Sequence, residues 1–364
     1  MRNAKSINSL RDVASLLTLC KAELGGLDKA TSREVVEWLI RTGHLHAVDH
    51  RQLYQVCLDR LPESAAWFSK ADKDIGSVAE HLVACLNCVE FAERAPEIIS
   101  RNFAEKDRLF FIHVPKTAGT AVRQAFQARD RFALWDTSYS TADVSDDQRF
   151  SRVLGLLESL ASGEAETIVI SGHFGVNDLI RWRLLRPNDR AFSVIRDPME
   201  VALSNLNYVL TVVSDYAIRA DARRWTQNLS ITDLPIQPHA VPVLAHKLLN
   251  NKDYFAEFNN VQSRALGGDS ERSSALNALL IADVELVPVQ NIREYLQTQW
   301  QITMPDGAPN QSDKFISSER ELNWDTRSLI YERYIDKDVL LHDFLRRNTI
   351  SGDGRTIIPS RDWI

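Results

Sequence analysis

Three short apolar segments, each followed by a turn and then by a helical pattern, constrain the fold of this chain more than any other feature. They are RLFFIHV from Arg108, ETIVISG from Glu166 and RAFSVIR from Arg190. Near-continuous apolar runs of this length are typical of parallel strands buried on both faces, joined by crossover helices. The sequence therefore predicts an α/β fold, in which ligands bind at the carboxyl ends of the strands.

The first hundred residues have a different pattern, which predicts helices. In DKATSREVVEWLIRTG, Thr31 and Glu34 have the spacing of a capping box, and Gly43 lies where a helix would end. Comparable apolar stripes recur in HRQLYQVCLDRL and VAEHLVACLNCVEF. We expect a helical N-terminal region of unknown role at residues 1–103, an α/β domain at 104–350 and a C-terminal tail at 351–364.

The composition is that of a globular protein, with 44% apolar and 25% charged residues in a chain of 364. The net charge of −6 argues against a surface devoted to nucleic acid, although it is compatible with a local basic pocket. No segment reads as a signal peptide, and no apolar run approaches the ~20 residues that a membrane helix needs. We therefore expect a cytoplasmic protein without a membrane span, and the sequence indicates no oligomeric state.

The four cysteines all lie in the predicted helical region: Cys20, Cys57, Cys85 and Cys88. Cys85 and Cys88 have CxxC spacing, and HLHAVDH supplies histidines nearby, so a zinc site is one interpretation. The other interpretation is that the two cysteines lie one turn apart in a helix, as small buried apolar residues. Structural zinc sites usually show two tight ligand pairs, which favours the second interpretation, with His44 and His50 at the surface.

The turn VPKTAGTA follows the first apolar segment and leads into a helical pattern. Such a turn presents backbone N–H groups and the positive end of a helix dipole to an anion. Lys116 adds a full charge, Thr117 and Thr120 add hydroxyl donors, and Gly119 lets the backbone approach closely. These residue types predict a phosphate site; the alternative is an ordinary strand-to-helix turn with a surface lysine. The turn is not a Walker A loop, because Gly-Lys occurs nowhere in the chain.

A second candidate phosphate site lies in SVIRDPMEVALSNLNYV, at the end of the third apolar segment. Asp197 is placed to cap a helix that begins at Pro198, which orients Arg196 at the strand end. Ser204 follows Arg196 by eight residues, about two helical turns, so the guanidinium and the hydroxyl can reach one phosphate. Arg-Asp-Pro is also a common turn, but together with the first loop it predicts two phosphates on one ligand.

The middle segment, ETIVISGHFGV, places His173 just beyond a strand, between Gly172 and Gly175. A histidine in this position suits proton transfer, because its ordinary pKa of about 6.5 matches a base at neutral pH. A lone histidine is more often structural. Its position between two candidate phosphate loops favours the catalytic interpretation.

With these three motifs in this order, the chain from about residue 106 to about 345 resembles the sulfotransferases that use 3′-phosphoadenosine 5′-phosphosulfate (PAPS), in particular the carbohydrate 2-O-sulfotransferase branch and its bacterial relatives. The resemblance implies a P-loop-like parallel sheet flanked by helices, in a sulfotransferase domain at 104–350. It also implies donor-binding residues in the 5′-phosphosulfate loop, in the 3′-phosphate segment and in a loop that covers the cofactor: Pro115, Lys116, Thr117, Ala118, Gly119, Thr120, Ala121, Arg196, Ser204 and Arg264. It extends more weakly to PNQSDK near Asn310.

Two features depart from the pattern of the family. Ala121 stands where many relatives carry a second hydroxyl, which removes a side-chain donor but leaves a backbone N–H. The helical N-terminal region has no counterpart in the family core.

The activity implied by the resemblance is in-line transfer of a sulfuryl group from PAPS to an acceptor hydroxyl, with Lys116 and His173 as catalytic residues and no metal. The expected acceptor, from the resemblance, is a glycan or glycoconjugate; the alternatives are a peptide tyrosine, a lipid-linked sugar and a small alcohol. Two segments could line its cleft, WDTSYSTADVSDDQRF and residues 211–242, the latter with three arginines and an aromatic residue: Arg219, Arg223, Arg224 and Trp225. A solvated helix face is the alternative for these segments. The alternative functions are an ATP-dependent phosphotransferase with an atypical phosphate loop and an inactive nucleotide-binding scaffold.

Overall fold

A computed structural model describes residues 7–24, 31–46, 48–61, 75–137, 145–175, 178–179, 186, 189–214, 236–269, 271–282, 284–304 and 315–348. Its strands form one five-stranded parallel sheet in the order β2-β3-β1-β4-β5: β1 (Asp107–Ile112), β2 (Phe132–Asp136), β3 (Thr167–Gly172), β4 (Arg190–Ile195) and β5 (Val284–Pro288). Phe132 pairs with Thr167 between β2 and β3, and Ala191 pairs with Val284 between β4 and β5. The predicted α/β class, with a parallel sheet flanked by helices, is confirmed.

The helices of the described residues precede, connect and follow these strands. They are α1 (Leu10–Leu24), α2 (Ser32–Thr42), α3 (His50–Leu58), α4 (Ile75–Asn87), α5 (Val89–Asn102), α6 (Gly119–Gln127), α7 (Asp146–Ala161), α8 (Pro198–Ser214), α9 (Val241–Leu249), α10 (Lys252–Phe258), α11 (Val261–Gly267), α12 (Arg272–Ala282), α13 (Ile292–Trp300), α14 (Trp324–Arg333) and α15 (Asp336–Asn348). None of them has the length and apolar character that a membrane-spanning helix requires.

The three apolar segments identified in the sequence are the three central strands. Every residue of β3 is buried, as are all of β1 except Asp107 and all of β4 except Arg190. The outer strands β2 and β5 were not identified, because FALWD and VELVP are only five residues long and each includes half-buried positions. The positions of β3, β1 and β4 side by side bring three carboxyl ends to one edge of the sheet.

Contacts divide the chain into two compact units, and β1 is shared between them at Phe110 and Phe111. Unit 1 comprises residues 1–110, 126–172 and 181–189, and unit 2 comprises residues 111–125, 173–180 and 190–364. The domain boundaries expected at 103/104 and 350/351 remain predictions.

Unit 1 contains the helices predicted for the N-terminal region. The capping box of α2 is present: Glu34 N–H donates to the Thr31 hydroxyl, and Thr31 N–H donates to the Glu34 carboxylate at 2.7 Å. The helix ends at Gly43, whose φ of 68° is left-handed. Lys21 and Glu158 form an ion pair at 2.6 Å that links α1 to α7.

The structure changes the interpretation of two residues in this region. Cys88 does not continue the helix that contains Cys85. It lies between α4 and α5, where its sulfur accepts the backbone N–H of Phe91 at the start of α5. His50 is 4% exposed, so the expectation of a surface residue was wrong. The His50 ring meets His81 edge to face, and burial lowers the pKa of His81 to about 4.

The described residues include no group of three or more His, Cys, Asp or Glu side chains arranged to hold a metal ion. Cys20, Cys57 and Cys85 are buried free cysteines, and Cys88 is half-buried. Burial raises the pKa of the Cys85 thiol to about 12, which keeps it protonated.

Candidate functional site

The predicted phosphate loop, residues 115–121, connects β1 to α6 within unit 2. Lys116 and Ala118 have left-handed φ values of 64° and 70°, although neither is glycine. Such conformations cost on the order of 1–3 kcal/mol each and concentrate at functional sites. Left-handed residues in a turn direct successive backbone N–H groups into an anion-binding concavity. The loop therefore has the backbone geometry of an anion site.

The Thr117 hydroxyl, predicted as a donor to the phosphate, is hydrogen-bonded within the turn. Its side chain is fully buried, and its Oγ1 donates to the backbone oxygen of Val114 at 2.8 Å. A hydroxyl has one proton, so this bond stabilises the turn. Thr120 is half-buried in the first turn of α6, and Ala121 beside it is buried.

Lys116 and Arg196, predicted to bind different ends of a ligand, come together at the edge of the sheet. The Arg196 Nη1 donates to the backbone oxygen of Lys116 at 3.4 Å. The Lys116 ammonium lies 3.6 Å from the centre of the Tyr208 ring, a cation–π contact. Two cationic residues that follow separate strands are therefore in contact with one another.

The backbone of Arg196 is fixed by Gln262, a buried residue of α11. Arg196 N–H donates to Gln262 Oε1 at 3.0 Å, and Gln262 Nε2 donates to the Arg196 oxygen at 2.9 Å. Asp338 of α15 accepts from the backbone N–H groups of Gln262 and Ser263 at 3.0 and 2.7 Å. Burial raises the pKa of Asp338 to about 6, against the lowering effect of these bonds. Arg196 is thus held by a hydrogen-bonded chain that ends in the last described helix.

The side chains of Glu200, Ser204 and Tyr208 are spaced four residues apart and share one face of α8. Glu200 accepts a hydrogen bond from Arg196 Nε at 2.8 Å, and Tyr208 meets Lys116. Ser204, half-buried, lies between them. This face brings the predicted Arg196–Ser204 pair beside the loop that contains Lys116.

His173 lies directly after β3, with its Nδ1 2.9 Å from the backbone oxygen of His113. A carbonyl only accepts, so we assign the proton to Nδ1, and neutral His173 then carries its lone pair on Nε2. The His113 and His173 rings stack with centres 4.4 Å apart. His113 is 7% exposed, and burial, with a contribution from nearby positive groups, lowers its pKa to about 2. His113 is therefore neutral at any physiological pH.

Arg264 lies in helix α11 and not in a loop, contrary to the expectation from the resemblance. Its guanidinium donates to the backbone oxygens of Ala256 and Glu257 near the end of α10. Burial lowers its pKa. In this arrangement the guanidinium caps a helix C-terminus, where a positive charge is stabilising.

A cavity of about 490 Å³ lies along the first turns of α8, next to Arg196. Four carboxylates line it, those of Asp197, Glu200, Glu319 and Asp343. His342, Arg346, Tyr331 and apolar side chains form other parts of the wall. Burial and the carboxylates of Glu319 and Asp197 raise the pKa of Tyr331. This negative lining disfavours a phosphate in the cavity, so the loop and Arg196 remain the candidate anion site.

Several predicted residues lie outside the described part of the chain. They include residues 138–144 of the first candidate acceptor segment, residues 215–235 of the second with all four residues singled out there, and Asn310. The predicted C-terminal tail is outside it as well.

Four residues of the candidate site were not predicted from the sequence: His113, Glu200, Tyr208 and Gln262. Glu200 and Tyr208 could have been found, because each is four residues from Ser204 on a predicted helix. His113 reads as the polar end of an apolar strand, and Gln262 lies 66 residues from Arg196, so no local pattern points to either.

A comparison of the chain with protein-family models and with curated proteins finds no match.

Proposed function

We propose that the chain is a PAPS-dependent sulfotransferase. The observation that carries the proposal is the contact of Arg196 with Lys116 in a loop of unusual backbone geometry, with His173 hydrogen-bonded to His113, two residues before that loop. PAPS is a donor with a phosphate at one end and a phosphosulfate at the other. Two cations on separate strand ends, with a loop shaped for an anion, fit such a ligand.

In this proposal Arg196 and Ser204 hold the 3′-phosphate, and residues 115–121 hold the 5′ end. The loop contributes mainly backbone N–H groups and the Lys116 ammonium, because the Thr117 hydroxyl is already used by Val114. Lys116 stabilises negative charge on the bridging oxygen as the S–O bond breaks. The Arg264 guanidinium is bound to α10. Of the proposed donor contacts, that of Arg264 therefore has the least support.

His173 is the proposed general base. Its Nε2 takes the proton of the acceptor hydroxyl, while its Nδ1–H remains on the His113 oxygen and holds the ring in the required tautomer. None of these roles uses a metal ion. A glycan or glycoconjugate acceptor and a cytoplasmic location are parts of the proposal that come from the sequence alone.

The test is calorimetric titration with adenosine 3′,5′-bisphosphate, the product of the donor, beside ADP and ATP with and without magnesium. We expect metal-independent preference for the bisphosphate, weakened about 10- to 100-fold in Arg196→Ala, since a charged hydrogen bond contributes ~1.5–3 kcal/mol. The matched control is Arg33→Ala, which removes another i,i+4 ion pair, with Glu37 on α2.

A preference for ATP with magnesium would replace this proposal with the phosphotransferase. Tight bisphosphate binding without turnover on any hydroxyl acceptor would favour the inactive scaffold. Equal losses in Arg196→Ala and Arg33→Ala would remove Arg196 from the site.

A further inference from the structure

We propose that His113 is a positioning residue that fixes the position of the base His173 relative to the phosphate loop. The effect of His113 on catalysis rests on the proposed function. The packing of His113 against its neighbours does not. His113 touches both partners: its side chain meets Gly119 of the loop, and its backbone oxygen and ring meet His173.

The ring of His113 belongs to a column of four aromatic rings in unit 2. Phe192 of β4 stacks on Phe111 of β1 at 4.8 Å, Phe111 on His113 at 5.7 Å, and His113 on His173 at 4.4 Å. The angles between successive ring planes are 19°, 23° and 28°. Phe111 and His113 point to the same side because they are two residues apart in extended chain. The sheet core therefore fixes the plane in which His173 lies.

The other edge of the His113 ring occupies the space that a side chain at position 119 would take. A Cβ built on Gly119 would lie 1.8 Å from the His113 Nε2 and Cδ2 atoms. Any residue larger than glycine must move the ring or the loop. The ring thus defines how closely the first turn of α6 approaches β1.

The polar character of His113 is unusual for a ring in the interior of a protein. Its Nδ1 is buried and has no hydrogen-bond partner within the described part of the chain. Such groups are rare in protein interiors, where an apolar ring would avoid the loss of hydration. A five-membered ring is smaller than that of phenylalanine and fits between Gly119 and Phe111, which accounts for histidine at this position in spite of the unpaired nitrogen.

The first experiment follows packing through four proteins: wild type, His113→Ala, Gly119→Ala and the double variant, each unfolded with urea. We expect either single change to lower the unfolding midpoint. In the Gly119→Ala background, His113→Ala should raise the midpoint, because it makes room for the new methyl group. Gly155→Ala is the matched control, since a Cβ there meets nothing within 4 Å. Additive losses in the double variant would overturn the contact on which the proposal rests.

The second experiment reads the position of His173 directly, by ¹⁵N NMR of its imidazole above pH 8. We expect the Nδ1–H tautomer in wild type and a mixture of both tautomers in His113→Ala, which retains the carbonyl but lacks the ring. An unchanged tautomer in His113→Ala would overturn the positioning role. Neither experiment needs a ligand, so failure of the bisphosphate titration would refute the proposed function and leave these results to decide the role of His113.

Discussion

At the scale of the residue, His113 is a titratable group whose protonation the folded protein resists. Its pKa falls from an ordinary 6.5 to about 2, first because of burial and then because of His173, Arg123 and Lys116. The unfolded chain therefore binds a proton at mildly acidic pH that the folded chain does not. The stability that comes from neutral His113 is fully present above pH 6.5 and is lost as the pH falls toward 2.

We predict that His113→Ala makes the free energy of unfolding less dependent on pH between about 6 and 4. One fewer proton taken up on unfolding reduces the slope by about 1.4 kcal/mol per pH unit. Urea unfolding at pH 4, 5, 6 and 7 measures this slope, independently of any overall loss of stability in the variant. Parallel curves for wild type and variant would show that His113 titrates normally in the folded protein.

At the scale of the element, the first turns of α8 combine attraction and repulsion for an anion. Arg196 carries the positive charge, but its Nε is bound to Glu200 one turn along the helix. The side chains of Arg196 and Glu200 are 32% and 55% exposed, so this ion pair is weak and exchangeable. A phosphate bound to Arg196 and Ser204 would lie on the same helix face as the Glu200 carboxylate, which repels it.

We predict that Glu200→Gln strengthens the binding of adenosine 3′,5′-bisphosphate about 2- to 5-fold, the equivalent of up to about 1 kcal/mol, because it removes a like charge from the site. Titration calorimetry at low salt measures the change. Asp325→Asn, an acidic residue of the first turn of α14, is the control and should leave the affinity unchanged. Weaker binding in Glu200→Gln would mean that Glu200 orients Arg196 for the ligand and does not compete with it.

At the scale of the whole molecule, a buried ion pair within unit 1 joins residues that are distant in the sequence. Asp189 is the last residue of unit 1 before β4 begins at Arg190. Its carboxylate accepts both Nε, at 2.8 Å, and Nη2 of Arg108 in β1, and the Arg186 backbone N–H as well. The side chains of Arg108 and Asp189 are 1% and 4% exposed. This buried pair therefore ties the start of β1 to the segment before β4.

We predict that Asp189→Ala lowers the free energy of unfolding by about 3–5 kcal/mol, because it leaves the Arg108 charge buried without its carboxylate. The double variant Arg108→Met/Asp189→Leu should recover most of this loss, since an apolar pair removes both charges. Urea unfolding measures both. Glu37→Ala, which breaks the exposed pair with Arg33 on α2, is the control and should change stability by less than about 1 kcal/mol. A loss of less than about 1 kcal/mol in Asp189→Ala would mean that Arg108 finds another partner.

The sequence by itself determined the features that depend on residues near one another in the chain. Three short apolar segments identified β1, β3 and β4, and the capping box identified the start of α2, because burial and capping act within a few residues. The charge of Lys116 and the position of His173 after a strand were evident for the same reason. The weaker outer strands β2 and β5 were not.

Only the tertiary structure decided which of these residues meet. The order β3-β1-β4 places three strand ends side by side, and it brings His113 under His173 and Arg196 against Lys116, across 60 and 80 residues of chain. It also assigned the Thr117 hydroxyl to Val114 and the Arg264 guanidinium to α10, where local pattern or resemblance had suggested a ligand. Strand order and side-chain competition for partners arise from packing of the whole chain, so no local pattern contains them.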